Sequence, residues 1–209
     1  MAEQRLRILI VGAAGTLGRA IATELSARHD IVTAGRNSGD VRLDISDAKS
    51  IVAALDKAGK LDAVVSAAGH VTFAPLAEFK CAPLGESKHT PGIQDKLMGQ
   101  VNLALAARDV LKDGGSITLT TGILSEHPIA LGSSASMVNG ALEAFVLGAA
   151  IELPRGLRIN AVSPTVLVES MKDYAPFFRG FEPVPAAKAA LAFARSVEGL
   201  QTGRVYKVY

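Results

Sequence analysis

The sequence predicts an α/β protein built on a mostly parallel sheet, and three observations carry that reading. Short β-type runs alternate with amphipathic helical patterns along all 209 residues. Ala, Val, Leu and Ile dominate a composition that is 49% apolar and only 5% aromatic, as expected for parallel strands covered by helices. The length suits one domain, 1–209, with a substantial core. The net charge of +2, with both signs spread along the chain, gives no basic stripe for nucleic acid or a membrane surface. The lone cysteine, Cys81, forms no disulfide framework, which points to a reducing cytoplasm. Arg5 and Arg7 before ILIVGAAG imitate a signal peptide, but the apolar run is short, interrupted by glycine and soon followed by Arg19 and Glu24. No stretch has the roughly 18 uninterrupted apolar residues of a membrane span.

The elements follow in order. A buried strand over 6–12 (LRILIVG) leads into a helix over 16–28, where Leu17, Ile21 and Leu25 share one face. Strands follow at 30–34 and 41–44. Asp47, after Ser46, suits the start of a helix over 47–58 by capping and by the dipole. A strand at 62–67 and a helix over 94–111 come next. Asp113-Gly114-Gly115 then reads as a helix stop and a turn into a strand at 115–121. In the helix over 132–152, Val138, Leu142, Phe145 and Ala149 fall on one face. A strand at 157–162, a helix over 185–198 and a strand at 203–208 close the chain. The segments 70–93 and 164–185 are irregular and rich in Pro and Gly; both follow strand ends, where ligand loops of open α/β sheets lie.

The run Gly12-Ala-Ala-Gly15-Thr-Leu-Gly18 sits between a strand and an amphipathic helix. Gly12 permits a tight turn, Gly15 lets backbone approach a pyrophosphate, and Gly18 lets helix and strand pack closely. The anion would sit on the free N–H groups of the helix N-terminus. The spacing G-x-x-G-x-x-G differs from the commoner G-x-G-x-x-G, and the placement rather than the glycines alone points to a dinucleotide site. The second strand ends at Thr33-Ala-Gly-Arg36-Asn37-Ser38, with no acidic residue for a ribose 2′-hydroxyl. Arg36 offers a planar cation suited to a 2′-phosphate, so NADP(H) is expected over NAD(H); a solvated surface arginine is the plain alternative.

At this point the chain resembles the short-chain dehydrogenase/reductase family over nearly its whole length. GAAGTLG stands at the cofactor turn, Asp44-Ile45 at the adenine contact, and Ser66-Ala67-Ala68-Gly69 at the family's Asn-Asn-Ala-Gly. Lys96-Leu-Met-Gly99 stands at its Asn-x-x-Gly, Gly115-Ser-Ile-Thr-Leu-Thr-Thr121 at the strand before its serine, and Asn139-Gly-Ala-Leu-Glu-Ala-Phe145 on its lysine helix. Arg158-Ile-Asn-Ala-Val-Ser-Pro164 matches the next strand. The resemblance implies a three-layer, doubly wound Rossmann fold with a seven-stranded sheet in the order 3-2-1-4-5-6-7 and a nicotinamide cofactor. It implies contacts from Gly12, Ala14, Gly15, Thr16, Leu17, Gly18, Arg36, Asn37, Ser38, Asp44, Ile45, Ala67, Ala68, Gly69, Thr120, Pro164 and Val166. The chain has too few residues for the family's extra helix after the fourth strand.

The departures fall on the reaction centre. The family uses a tyrosine as acid/base, a lysine four residues on that lowers its pKa, a serine that orients the carbonyl, and an asparagine in a proton relay. In the register set by Ala-Leu-Glu-Ala-Phe these positions are Ala135, Asn139, Gly122 and Lys96. No Tyr-x-x-x-Lys occurs; the tyrosines are Tyr174, Tyr206 and Tyr209. Alanine transfers no proton and glycine has no hydroxyl. Thr165 replaces the usual glycine after Pro164. Glu169 stands where a threonine contacts pyrophosphate, and its carboxylate would repel the anion unless turned away.

Replacement acids are Lys96, His127 and Tyr174, with His70 beside the Ala-Ala-Gly turn. The histidines read equally as ordinary loop residues, and Lys96 needs a partner on an apolar helix face. Ser133 and Ser134 read as helix-start caps. No metal-ligand spacing is present, and Ser133 lacks a nucleophile-elbow setting. Two functions remain open: an oxidoreductase on a carbonyl or alcohol with a non-standard acid/base, or a silent NADP(H)-binding sensor or interaction protein. The helices 94–111 (Leu103, Leu105, Ala106) and 132–152 (Val146, Leu147, Ile151) are apolar on more than one face, which predicts a homodimer or homotetramer. Tyr174, Phe177, Phe178 and Phe181 read either as an apolar lid or as packing under a long loop.

Overall fold

The computed structural model describes residues 5–209. β1 (Arg7–Val11) alternates its side chains between two faces, Ile8 and Ile10 on one and Leu9 and Val11 on the other. Both faces are buried, so a helix layer must cover each. α1 (Thr16–Ser26) and α6 (Ala186–Glu198) cover the first, packing Ile21, Leu25, Phe193 and Val197 on it. α2 (Ala48–Ala58), α3 (Gly99–Val110) and α4 (Ser133–Glu152) cover the second with Ile51, Leu103, Val138, Leu142 and Val146.

Between them lie β2 (Asp30–Gly35), β3 (Val41–Arg42), β4 (Leu61–Ser66), β5 (Leu111–Thr120), β6 (Arg158–Pro164) and β7 (Val205–Val208). The seven strands run parallel in the order β3-β2-β1-β4-β5-β6-β7. This is the doubly wound order expected from the sequence. The order reverses beside β1, so the crevice at the carboxyl ends of β1 and β4 is the place for a ligand.

Several local expectations hold. Asp47 caps α2 by accepting the Lys49 N–H at 2.9 Å. Leu17 packs at the edge of the face formed by Ile21 and Leu25. Others need correction. The helix predicted over 94–111 is a seven-residue π-helix, Gly92–Met98, running into α3. The chain turns extended at Leu111, before Asp113-Gly114-Gly115, because Leu111 already pairs with Leu61. The register then slips, and Gly114 takes φ 74° in the bulge, so the glycines bend a strand rather than stop a helix. β3 is shorter than predicted. Gly132, not a serine, precedes α4; the Ser133 and Ser134 hydroxyls are buried and unpartnered and cap nothing.

On α4 the buried row is Val138, Leu142 and Val146, with Phe145 and Ala149 beside it and half-buried. α4 is long and apolar enough by length and composition to cross a membrane. It lies instead along the sheet, contacting β6.

Candidate functional site

The first half of the site grows from the β1–α1 turn. Gly12 has φ 82°, and a Cβ there would come within 2.7 Å of the Ala67 carbonyl oxygen. A Cβ on Gly18 would lie 2.1 Å from the Gly12 carbonyl oxygen, so that glycine is needed for the packing of helix on turn. Gly15 begins α1 with no side-chain cap, which leaves the first helical N–H groups free for an anion. A cleft of about 270 Å³ opens in front of them. Its walls include Gly12, Gly15, Arg36, Asp44, Ile45 and the Ala67–Gly69 turn. Ala14 and Ser38 line a smaller adjoining hollow. Glycines that a Cβ would displace, an uncapped helix end and an open cleft between them fit a dinucleotide.

The loop after β2 is braced. Asp40 accepts the Thr33 N–H at 2.8 Å and the Thr33 hydroxyl at 2.7 Å, and these bonds hold its carboxyl below the usual range. Of the exposed Arg36-Asn37-Ser38 segment, Arg36 lines the cleft, Ser38 lines the smaller hollow and Asn37 lines neither. Arg36 comes 4.0 Å from Asp44. Asp44 itself accepts the Ser46 hydroxyl (2.7 Å) and N–H (3.0 Å), which lower its pKa. On the opposite wall His70 meets Asp95 at 3.1 Å; Asp95, Leu43 and the Thr33–Asp40 brace carry no motif that marks them in the sequence.

Thr120 turns its hydroxyl to the Ser66 carbonyl, and its backbone is held on both sides by the buried Gln100. Pro164 and Val166 lie at and just past the end of β6, Val166 buried. The Glu169 carboxylate accepts the Ala186 N–H with both oxygens at 3.1 Å, at the start of α6. It is turned away from the cleft, which removes the expected conflict with a pyrophosphate.

The second half lies where β5 ends. The π-helix passes so close under Gly69 that a Cβ there would meet the Lys96 backbone and side chain at 2.8–2.9 Å. From this position Lys96 Nζ donates to Asn139 Oδ1 at 2.8 Å and to the Thr121 carbonyl at 3.1 Å. Asn139 Nδ2 in turn donates to the Gly122 carbonyl at 3.2 Å. Desolvation lowers the Lys96 ammonium to about 8, while the Glu143 carboxylate opposes that fall. Lys96, Gly122 and Asn139, chosen on sequence register alone, thus form one hydrogen-bonded group.

Ala135 is buried in a different setting, among Ile123, Leu124, Val166 and Phe178. Tyr174, Phe181 and Met171 pack on this cluster, and Tyr174 meets Phe73 edge-on at 5.9 Å. The aromatic segment is therefore both cover and core, except for Phe177, which is exposed. His127 is exposed and its ring faces Tyr209, not Lys96.

A doubly wound parallel sheet, with an uncapped, glycine-lined helix N-terminus at its switch point, defines a dinucleotide-binding α/β protein. The family model described as enoyl-(acyl carrier protein) reductase matches residues 1–205, and the chain belongs to the short-chain dehydrogenase/reductase family. It is 52% identical to the protein lin1944 from Listeria innocua, covering 98% of this chain and all of that one, with a TM-score of 0.93. It is 26% identical to a small-chain dehydrogenase in complex with NADPH (98% and 97% covered, TM-score 0.83). A short-chain dehydrogenase from Burkholderia cenocepacia in complex with NADP shares the fold at 21% identity (100% and 98% covered, TM-score 0.83). No curated protein matches the chain.

Proposed function

We propose that the protein is an NADP(H)-dependent oxidoreductase acting on a carbonyl or alcohol, with Lys96 in the role of proton donor and acceptor. The observation that carries this reading is the Lys96–Asn139 contact beneath Gly69. The family pattern has asparagine on the first of these elements and lysine on the second; here the two residue types stand exchanged, and an ammonium is still delivered to the end of β5.

The uncapped N–H groups of α1 would hold the pyrophosphate, Asp44 and Ile45 the adenine side, Arg36 a 2′-phosphate, and Ala67–Gly69 the floor. When bound, a reduced nicotinamide supplies hydride. Lys96 donates a proton from Nζ to the substrate oxygen in the reducing direction and takes one in the other. An ammonium near 8 is close to the working pH, where general-acid catalysis is most effective. Ala135 and its apolar neighbours exclude water from the substrate side.

The test is oxidation of NADPH, followed by absorbance, against a panel of carbonyl compounds, for the wild type and Lys96→Met. Substrate-dependent oxidation that Lys96→Met abolishes supports the reading. NADPH binding without turnover on any substrate supports a silent NADP(H) sensor or interaction protein, a reading favoured by the apolar filling around Ala135. Exposed Leu105 on α3 and Leu147 and Ile151 on α4 support assembly into a homodimer or homotetramer, which light scattering tests. The free Cys81 supports a cytoplasmic setting.

A further inference from the structure

Glu143 lies one helical turn beyond Asn139, on the face of α4 that meets the turn after β5. Its Oε1 accepts two hydroxyl hydrogens, from Thr121 at 3.0 Å and from Ser125 at 2.8 Å. Among the described residues no lysine or arginine forms an ion pair with it; Lys207 and Tyr209 on β7 and past its end feel its charge, Lys207 while paired with Glu126. The two hydroxyls that hold it bracket the segment whose carbonyls anchor the site, Thr121 for Lys96 and Gly122 for Asn139. The single Ser125 hydroxyl hydrogen also has the Gly122 carbonyl within reach at 3.1 Å, so this carbonyl and the Glu143 carboxylate share one donor, with the carboxylate nearer.

We propose that Glu143 is the positioning residue for Lys96: its carboxylate accepts from the Thr121 and Ser125 hydroxyls and so holds the turn whose Thr121 carbonyl receives the ammonium. The proposal rests on the reading of Lys96 as the acid/base. The charged groups on the neighbouring elements are engaged elsewhere. Asp95, its neighbour on the π-helix, bonds His70 from the loop after β4. Glu126, past the turn after β5, is paired with Lys207 and accepts from Tyr209 at the end of β7. His127 is exposed against Tyr209. On α4 itself Glu143 is the charged residue next to Asn139, and Glu152 lies at the far end. A carboxylate in this place favours the charged form of Lys96 against the desolvation that disfavours it.

The experiment measures the titration of Lys96 directly. Protein without cofactor is pulse-labelled with acetic anhydride across pH 6–11, and the extent of acetylation at each lysine is read by mass spectrometry. In the wild type the Lys96 midpoint is expected near 8. Glu143→Gln keeps the acceptor oxygen but removes the charge, and the Lys96 midpoint should fall by about half a unit or more while Lys172 and Lys188 stay put. Ser125→Ala leaves the carboxylate but frees one of its tethers, and should move Lys96 in the same direction by less. An unchanged Lys96 midpoint in folded Glu143→Gln overturns the proposal. Should that variant not fold, an unchanged midpoint in Ser125→Ala does so. The readout needs no turnover: shifted titration in a protein that reduces nothing removes Lys96 as the acid but keeps Glu143 as its partner, whereas unshifted titration with intact turnover removes Glu143 alone.

Discussion

The crevice at the β1–α1 turn and the centre at the end of β5 lie on the same sheet edge, yet they treat the family pattern in opposite ways. At the turn, geometry is the function: Gly12 and Gly18 have backbone within 3 Å of where a Cβ would stand, so substitution there removes the turn and the site together. At the end of β5, on the proposed reading of Lys96, the requirement is for chemistry at a point in space. Lys96 and Asn139 meet there from two different elements, the π-helix and α4, and the ammonium comes from the first. A site built from backbone keeps its sequence; a site built from side-chain tips can move its groups between helices. Ala135 shows the cost of that freedom, since its place has closed over with Ile123, Leu124 and Phe178.

The widest separation of the two regions is expected from Lys96→Met. Turnover should drop by about 10²–10⁴-fold, the usual range for a general acid, while NADPH affinity changes little; steady-state rates and calorimetry read the two. The same chemistry gives a pH test: the reducing rate should fall as the pH rises through about 8, because the ammonium that donates is lost there. A rate flat to pH 10 would transfer the role to another group. Arg36→Glu acts on the other region. Loss of a charge-assisted bond of about 1.5–3 kcal/mol should weaken NADPH binding by roughly 10- to 100-fold and leave NADH binding nearly unchanged.

Ala135→Tyr asks whether the family's hydroxyl can simply be restored. Into that packed cluster the ring should cost about 1–3 kcal/mol in denaturant melts and bring no gain in rate. Glu169→Ala is the smallest change: loss of the cap on α6 should cost about 1 kcal/mol, with NADPH affinity held, because the carboxylate faces the helix and not the cleft. A large rise in affinity would place Glu169 against the anion after all.

The sheet order came from the family resemblance, whereas the cleft was legible because it rests on local signals. A buried strand, three spaced glycines and the row Leu17, Ile21, Leu25 each report on a few neighbouring residues. The register through Ala-Leu-Glu-Ala-Phe also brought Lys96, Gly122 and Asn139 to one place in advance. That the ammonium bonds Asn139 Oδ1 and the Thr121 carbonyl was not legible, since these contacts join residues 43 and 25 apart and depend on side-chain direction. Glu143 was missed for the same reason: its partners Thr121 and Ser125 approach only when α4 lies along β5 and β6. The serines at the start of α4 misled because composition favours them as caps, whereas Gly132 takes that position and their hydroxyls turn inward. The strand pairing of Leu111 overrode a glycine stop that lies later in the chain.

The wide coil over Gly92–Met98 carries more residues per turn than the α-helix that continues it. Deleting one amino acid there would let an ordinary spiral form and leave its two ends nearly in their present rotation, because the wide coil absorbs about one extra residue. The length of residues 92–98 thus sets where Lys96 points, although the stretch carries no glycine fingerprint. Lys96 sits inside that coil, so a shortened segment should turn its amine off Asn139 while the strand ends that line the nucleotide crevice stay where they are.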